Sequence, residues 1–256
     1  MRLYDTHCHL QDVDFDEDRQ QAVERMKAEG VERINLIGCN PVSNQRALDL
    51  AQEMEEAYCV VGIHPHDAEH WNEEQRQDII RKLDSPKCVG IGEIGLDYHY
   101  DFHPRDRQIA VLKEQLELVE ALQVPVVFHV REAFGDFLPL IRGKQWRGVV
   151  HCYAGSWESA KICLDAGLYI SFTGSVTFKN ADKLREVAKK IPADRIMTET
   201  DSPYLAPVPL RGRRNEPSFV AHTARLLAQI RQEDEEEAAL RMYKNGCECF
   251  NVPFPG

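Results

Sequence analysis

Two histidines stand one residue apart near the start of the chain, in Asp5-Thr6-His7-Cys8-His9. If the preceding run Arg2-Leu3-Tyr4 opens a β-strand, alternate side chains share a face, so His7 and His9 point the same way with Asp5 beneath them. Two imidazoles on one face make half of a site for a divalent ion. Donors of the same kind recur downstream at the ends of apolar runs. Glu93 follows Ile91-Gly92, His129 follows Val126-Val127-Phe128, His151 follows Val149-Val150, and Asp201 closes Thr198-Glu199-Thr200. Imidazole and carboxylate together suit Zn, Mn, Fe or Mg-like ions. One such residue alone would mark a strand meeting solvent; the recurrence suggests a ligand set. His7, His9, Glu93 and Asp201 can hold one cation, and Glu93, His129 and His151 a second, with Glu93 bridging. Ions about 3.5–4 Å apart share and acidify a water and clamp the attacking and leaving oxygens of a displacement at phosphorus. Asp201 is then the acceptor for the water's proton.

These residues are scattered over two hundred positions, so the elements between them must bring them together. Strand-like runs are expected at 33–38, 58–64, 88–95, 124–129, 148–153, 169–174 and 195–201, after the first at the N-terminus. Helical periodicity separates them, first through Ala22, Val23 and Met26 in a helix that Gly30 can end, then over 43–56, 72–83 with Asn72 as N-cap, 104–122, 133–141, 157–166 and 181–190. Two further helices are expected, over 218–229 and from the acidic run 233–237, which reads as a solvated helix start. The repeat of roughly 30 residues is that of βα units, and the Val- and Ile-rich strands suit a parallel sheet covered on both sides. Eight units in 256 residues predict an α/β fold, a closed (β/α)8 TIM-type barrel forming a single domain over 1–256. In such a barrel the strands' C-terminal ends share one rim, where the donors would meet. An open doubly wound sheet is the alternative, weakened by the absence of a G-x-G-x-x-G or Walker sequence after the first strand.

Composition narrows the partners. Thirty-one Lys and Arg against 42 Asp and Glu leave a net charge of −11, which does not favour long-range attraction of nucleic acid. A polyanionic substrate would need bound cations or a few well-placed arginines. No stretch approaches eighteen consecutive apolar residues, and the first residues lack the apolar core of a signal peptide, so no membrane role is expected. The eight cysteines mostly fall in strand-like runs and read as reduced, buried side chains of a cytoplasmic protein. Cys247 and Cys249 have no second pair with which to complete a zinc knot. Nothing implies an obligate protein partner.

Six motifs then carry a family resemblance: Asp5-Thr6-His7-Cys8-His9-Leu10, Gly62-Ile63-His64-Pro65-His66, Gly90-Ile91-Gly92-Glu93-Ile94-Gly95-Leu96-Asp97-Tyr98, Val127-Phe128-His129-Val130-Arg131-Glu132, His151-Cys152-Tyr153 and Glu199-Thr200-Asp201-Ser202-Pro203-Tyr204-Leu205. In content and order, over nearly the whole chain, they resemble the signatures of the TatD-type metal-dependent deoxyribonucleases. The resemblance implies a metallohydrolase barrel of the amidohydrolase type with two divalent cations (Mg, Mn or Zn). It also implies hydrolysis of DNA phosphodiesters, most often as a 3′–5′ exonuclease, with single-stranded or frayed ends as the fitting substrate. The family's metal positions map to His7, His9, Glu93, His129, His151 and Asp201, all present; Asp201 and Glu93 are expected from their own chemistry to be the catalytic carboxylates. Val130 and Glu132 depart from the family's usual His-Ser-Arg-Asp, and the hydroxyl lost at Val130 removes any hydrogen bond from that position. Two other classes compete: a hydrolase of the same fold acting on a small amide, lactone or phosphate ester, and a non-catalytic scaffold.

On the substrate side, His64 and His66 follow the third strand and either reach a phosphate or third cation or form a structural turn. Arg131 can bind phosphate bidentately, or else pair with a carboxylate such as Glu132 or Glu158. Arg211, Arg213 and Arg214 form a basic loop after the eighth strand, either a phosphate clamp over the site or a basic surface loop. Tyr98, Phe102, Tyr153 and Phe178 can stack on an unpaired base, with packing at the rim as the plainer role. His99 and His103 are expected to face solvent.

Overall fold

The computed structural model describes residues 1–100 and 102–254. Its sheet runs through β1 (Leu3–Cys8), β2 (Val31–Ile37), β3 (Ala57–Val61), β4 (Cys88–Asp97), β5 (Val126–Arg131), β6 (Gly148–Val150), β7 (Tyr169–Phe172) and β8 (Ile196–Thr198). Each strand pairs in parallel with the next, in sequential order. Helices follow the strands: α1 (Arg19–Ala28), α2 (Pro41–Glu53), α3 (Glu73–Leu83), α4 (Arg105–Leu122), α5 (Phe134–Ile141), α6 (Trp157–Asp165), α7 (Asp182–Lys190), α8 (Val220–Arg231) and α9 (Glu235–Phe250). This is the expected (β/α)8 barrel, and the open-sheet alternative falls away.

The barrel closes between β8 and β1 largely through side chains and the segment after β8. Thr6 Oγ1 donates to the Thr198 carbonyl at 3.0 Å. Thr200 donates to Asp5 from its amide at 2.8 Å and from its hydroxyl at 2.6 Å. The Asp201 amide donates to the His7 carbonyl, and the His9 amide to that of Ser202. The DTH and ETDS segments are thus stitched together at the seam.

Period-two alternation separates the core into two layers. Outward-facing Val126, Phe128, Val150, Ile170, Phe172 and Ile196 pack with the helices. Tyr4, Ile37, Val60, Val127, Val149, Tyr169 and Met197 form a second cluster with Tyr243, Cys249 and Phe250 of α9. α9 therefore plugs the barrel at the end opposite the strands' C-termini. On several strands the inward residue is followed, two positions on, by a polar one at the rim: Val127 by His129, Val149 by His151, Tyr169 by Ser171, Met197 by Glu199.

Several element ends differ from expectation. β4 continues to Asp97 because it pairs with β5 as far as Asp97 and Arg131, so Glu93 lies inside the strand rather than at its end. β8 stops at Thr198, and the chain turns so that Asp201 adopts φ 56°, a left-handed conformation that Asp tolerates better than most residues. Asn72 caps α3 as expected, its Oδ1 accepting from the Gln75 amide. The acidic run opens α9, with Asp234 accepting from the amides of Glu236 and Glu237. All eight cysteines are free. Among the described residues no helix is long and apolar enough to cross a membrane.

Candidate metal centre

The structure brings His7, His9, Glu93, His129, His151 and Asp201 to one place at the C-terminal mouth of the barrel. The two oxygens of Glu93 face different partners. On one side, Glu93 Oε1 lies 3.8 Å from His7 Nε2 and 3.7 Å from His9 Nε2. Asp201 Oδ1 lies 3.5 and 3.4 Å from the same two nitrogens, which are 3.4 Å apart. On the other side, Glu93 Oε2 lies 2.9 Å from His151 Nε2 and 3.3 Å from His129 Nδ1, which are 3.1 Å apart. Donor separations near 3.4 Å are those around a four-coordinate ion with bonds of about 2.0–2.2 Å. Glu93 Oε2 is buried yet accepts no aligned hydrogen bond, as a metal ligand would be without its ion. The donor set therefore fits divalent cations.

Three of the four imidazoles have their remaining nitrogen hydrogen-bonded to an acceptor, the arrangement that fixes which nitrogen can coordinate, whereas His7 Nδ1 is buried with no hydrogen-bond partner among the described residues. His9 Nδ1 lies 2.8 Å from the Ile37 carbonyl. His129 Nε2 lies 3.0 Å from Asp97 Oδ2. His151 Nδ1 lies 3.2 Å from Glu199 Oε2, and His7 Nδ1 3.7 Å from the same oxygen. Glu199 is itself held by the Ser171 hydroxyl at 2.7 Å and by the Cys152 amide. The sequence reading left Asp97 and Glu199 without roles. The alternation that places Met197 inward points to Glu199, two residues on; the length of β4, which exposes Asp97 at the rim, depends on its pairing with β5.

The electrostatics are those of a cluster short of positive charge. Burial opposes ionisation of Glu93, but the imidazoles around it, His151 foremost, hold its carboxyl well below the usual range. Burial also opposes protonation of His9, yet Asp201 and Glu93 push it up to about 9. Against the same penalty, Glu93 and Glu199 raise His151 well above the ordinary value, and Asp97 and Glu93 raise His129. His7 is pushed well below its ordinary value by burial and by His151.

Around this centre the substrate-side residues divide. His64 is buried, and its Nδ1 accepts from the His66 amide at 3.0 Å, as in a turn. The same ring stands 4.4 Å from that of His129, and His64, Glu93 and His129 form a further group able to hold an ion. His66 Nε2 lies 2.9 Å from Asp97 Oδ2. Cys39 is also at the centre, its thiol donating to Glu93 Oε1 at 3.2 Å. Arg131 leans over the Tyr100 ring at 4.8 Å instead of pairing with Glu132, which holds His99 at 2.8 Å.

The basic loop is split. Arg214 lies on Phe15, pairs with Asp18 at 2.7 Å and donates to the Asp14 carbonyl, while exposed Arg211 stacks on Phe178 at 3.9 Å. His99 faces solvent as expected, whereas the His103 side chain is only 15% exposed, next to Glu69. Of the four candidate aromatics, Tyr153 is buried, Tyr98 is held by Asp136 and Arg105, and Phe178 lies under Arg211. Phe102 is open, 62% exposed.

Comparison with known proteins supports the same reading. A model of the "TatD related DNase" family matches residues 4–251. The chain is 40% identical to YabD of Bacillus subtilis strain 168, described as a metal-dependent hydrolase, over 98% of this chain and 99% of that protein. It is 36% identical to the 3′–5′ ssDNA/RNA exonuclease TatD of Erwinia billingiae, over 98% of this chain and all of that protein. Among solved structures, YJJV, a TatD homologue from Escherichia coli K12, superposes with a TM-score of 0.90 at 31% identity, covering 98% and 99% of the two chains.

Proposed function

The chain belongs to the TatD-related DNase family, whose members include metal-dependent hydrolases, and from that premise we propose that it removes nucleotides from the 3′ end of single-stranded DNA. His7, His9, Glu93 and Asp201 would hold one divalent cation, and Glu93, His129 and His151 a second, with magnesium, manganese or zinc as candidate ions. The observation that carries this reading is the division of Glu93, one oxygen turned to His7 and His9 and the other to His129 and His151. When bound, the cations supply an acidified water and neutralise charge developing on the phosphate.

The chain's own residues do the rest. Asp201 has the more open carboxylate, its side chain 14% exposed against 5% for Glu93. It faces the incoming substrate and accepts the proton lost by the attacking water. Glu199, Asp97 and the Ile37 carbonyl keep the imidazoles oriented, so that no reorganisation is needed during the reaction. Arg131, half-buried beside the mouth, binds a phosphate of the strand. Most of the donors are buried, with Asp201 and His129 the more open, a setting that suits a single strand's end better than a continuous duplex.

The test uses purified protein with magnesium, manganese or zinc and a single strand labelled at either end. A 3′-labelled strand should release labelled mononucleotide from the first turnover, while a 5′-labelled strand shortens stepwise. Asp201→Asn should lower the rate by about 10²-fold or more. Absence of products with every ion, or equal rates for wild type and Asp201→Asn, would reject the reading.

A further inference from the structure

Tyr100 and Phe102 lie beside the mouth, two large aromatic side chains left in the open. Tyr100 is 51% exposed and Phe102 62%. Their rings are parallel to within 5°, with centroids 5.6 Å apart. Leaving so much apolar surface in water costs free energy that burial elsewhere would recover, and paired exposed aromatics mark binding surfaces.

The pair is held in place by its neighbours. His66 presents its ring edge-on to both, at 4.8 Å from Phe102 and 5.5 Å from Tyr100. The same His66 reaches Asp97, which also holds His129. One imidazole therefore separates the aromatic pair from the metal centre. The Arg131 guanidinium covers Tyr100 at 4.8 Å, bringing a positive charge beside an aromatic surface in a protein of net charge −11.

We propose that Tyr100 and Phe102 form a stacking platform for an unpaired nucleobase of the substrate strand, with Arg131 binding the adjoining phosphate. Nucleobases present a flat π-face whatever their sequence, and a cation beside the stack matches the backbone that runs along it. A base inside a duplex is stacked on both faces and cannot offer one, so the platform favours single strands without reading sequence. The inference rests on the nuclease reading and adds the feature that would give it strand preference.

The test combines a protein change with a substrate change. Wild type and Phe102→Ala are compared on 3′-labelled single strands that are either intact or carry one abasic nucleotide, stepped through the four 3′-terminal positions. Affinity is read by fluorescence anisotropy and turnover by nucleotide release. At one position, base removal should weaken wild-type binding by about tenfold, the order of one base–aromatic stack. Phe102→Ala should bind the intact strand about tenfold more weakly and be indifferent to the abasic nucleotide at that position. Phe102→Trp should restore the sensitivity. Wild type that cleaves single strands but loses no affinity at any abasic position, or a Phe102→Ala protein that loses as much as wild type, overturns the platform and leaves the nuclease reading intact. Wild type that neither binds nor cleaves the strand overturns both.

Discussion

At the scale of the residue, protons and cations would compete for the same nitrogens in the proposed centre. His9, held at about 9, and His151, raised by Glu93 and Glu199, must each lose a proton before the nitrogen can donate to an ion. At His9 protons compete with the metal below about pH 9 and cease to compete above it, and the raised His151 adds competition of the same sign. Metal affinity should therefore fall as pH drops from 9 to 6, by about tenfold per pH unit for each proton displaced. Calorimetric titration in buffers of different ionisation enthalpy counts those protons; pH-independent affinity with no proton release would contradict the ligand set. Within the proposed centre, Asp97 and Glu199 accept from the nitrogens of His129 and His151 that face away from the ion positions. Their residue types gave no sign of this, because a carboxylate within an ETD or GLD run can as easily face water.

At the scale of the element, the close approach of β4 to β5 positions Glu93 against His129. Gly95 makes that approach possible: a Cβ there would lie 1.8 Å from the His129 carbonyl oxygen. Backbone cannot yield as a flexible side chain would. Gly95→Ala should push β4 and β5 apart, cost about 1–3 kcal/mol or more, and weaken metal uptake with it. A thermal melt and the metal content of the dialysed protein check the two effects; an unchanged melting temperature would show that the strands move apart freely. Strand and helix order was legible from hydrophobic periodicity, whereas the ends were not. β4 extends past its expected end and β8 stops short of it because pairing with a neighbour, absent from local sequence, decides where a strand ends.

At the scale of the molecule, an acidic barrel must handle an acidic substrate. Two bound divalent cations would add about four positive charges at the mouth, the only place where the substrate needs them. They would also bind the folded chain and not the unfolded one. Stripping them with EDTA should lower stability by about 2.7 kcal/mol for each site that had been filled at a hundred times its dissociation constant. The same treatment should abolish strand binding as well as turnover. A melting curve and an anisotropy titration, each with and without EDTA, measure these; unchanged strand binding in EDTA would mean that the arginines suffice.

The candidate donor residues, their order along the chain and the eightfold alternation of strand and helix were legible in the sequence, because residue type limits ligand chemistry and periodicity sets which side is buried. The tertiary structure alone sorted the donors, turning the two oxygens of Glu93 to different imidazoles and assigning Asp97 and Glu199 to the nitrogens behind them. It also distinguished arginines that sequence could only count, tying Arg214 to Asp18 and laying Arg131 against Tyr100. It left Phe102 open where Tyr153 was buried. These outcomes depend on which side chains from distant strands arrive at the same few ångströms, and that is settled by closure of the barrel rather than by any local run of residues.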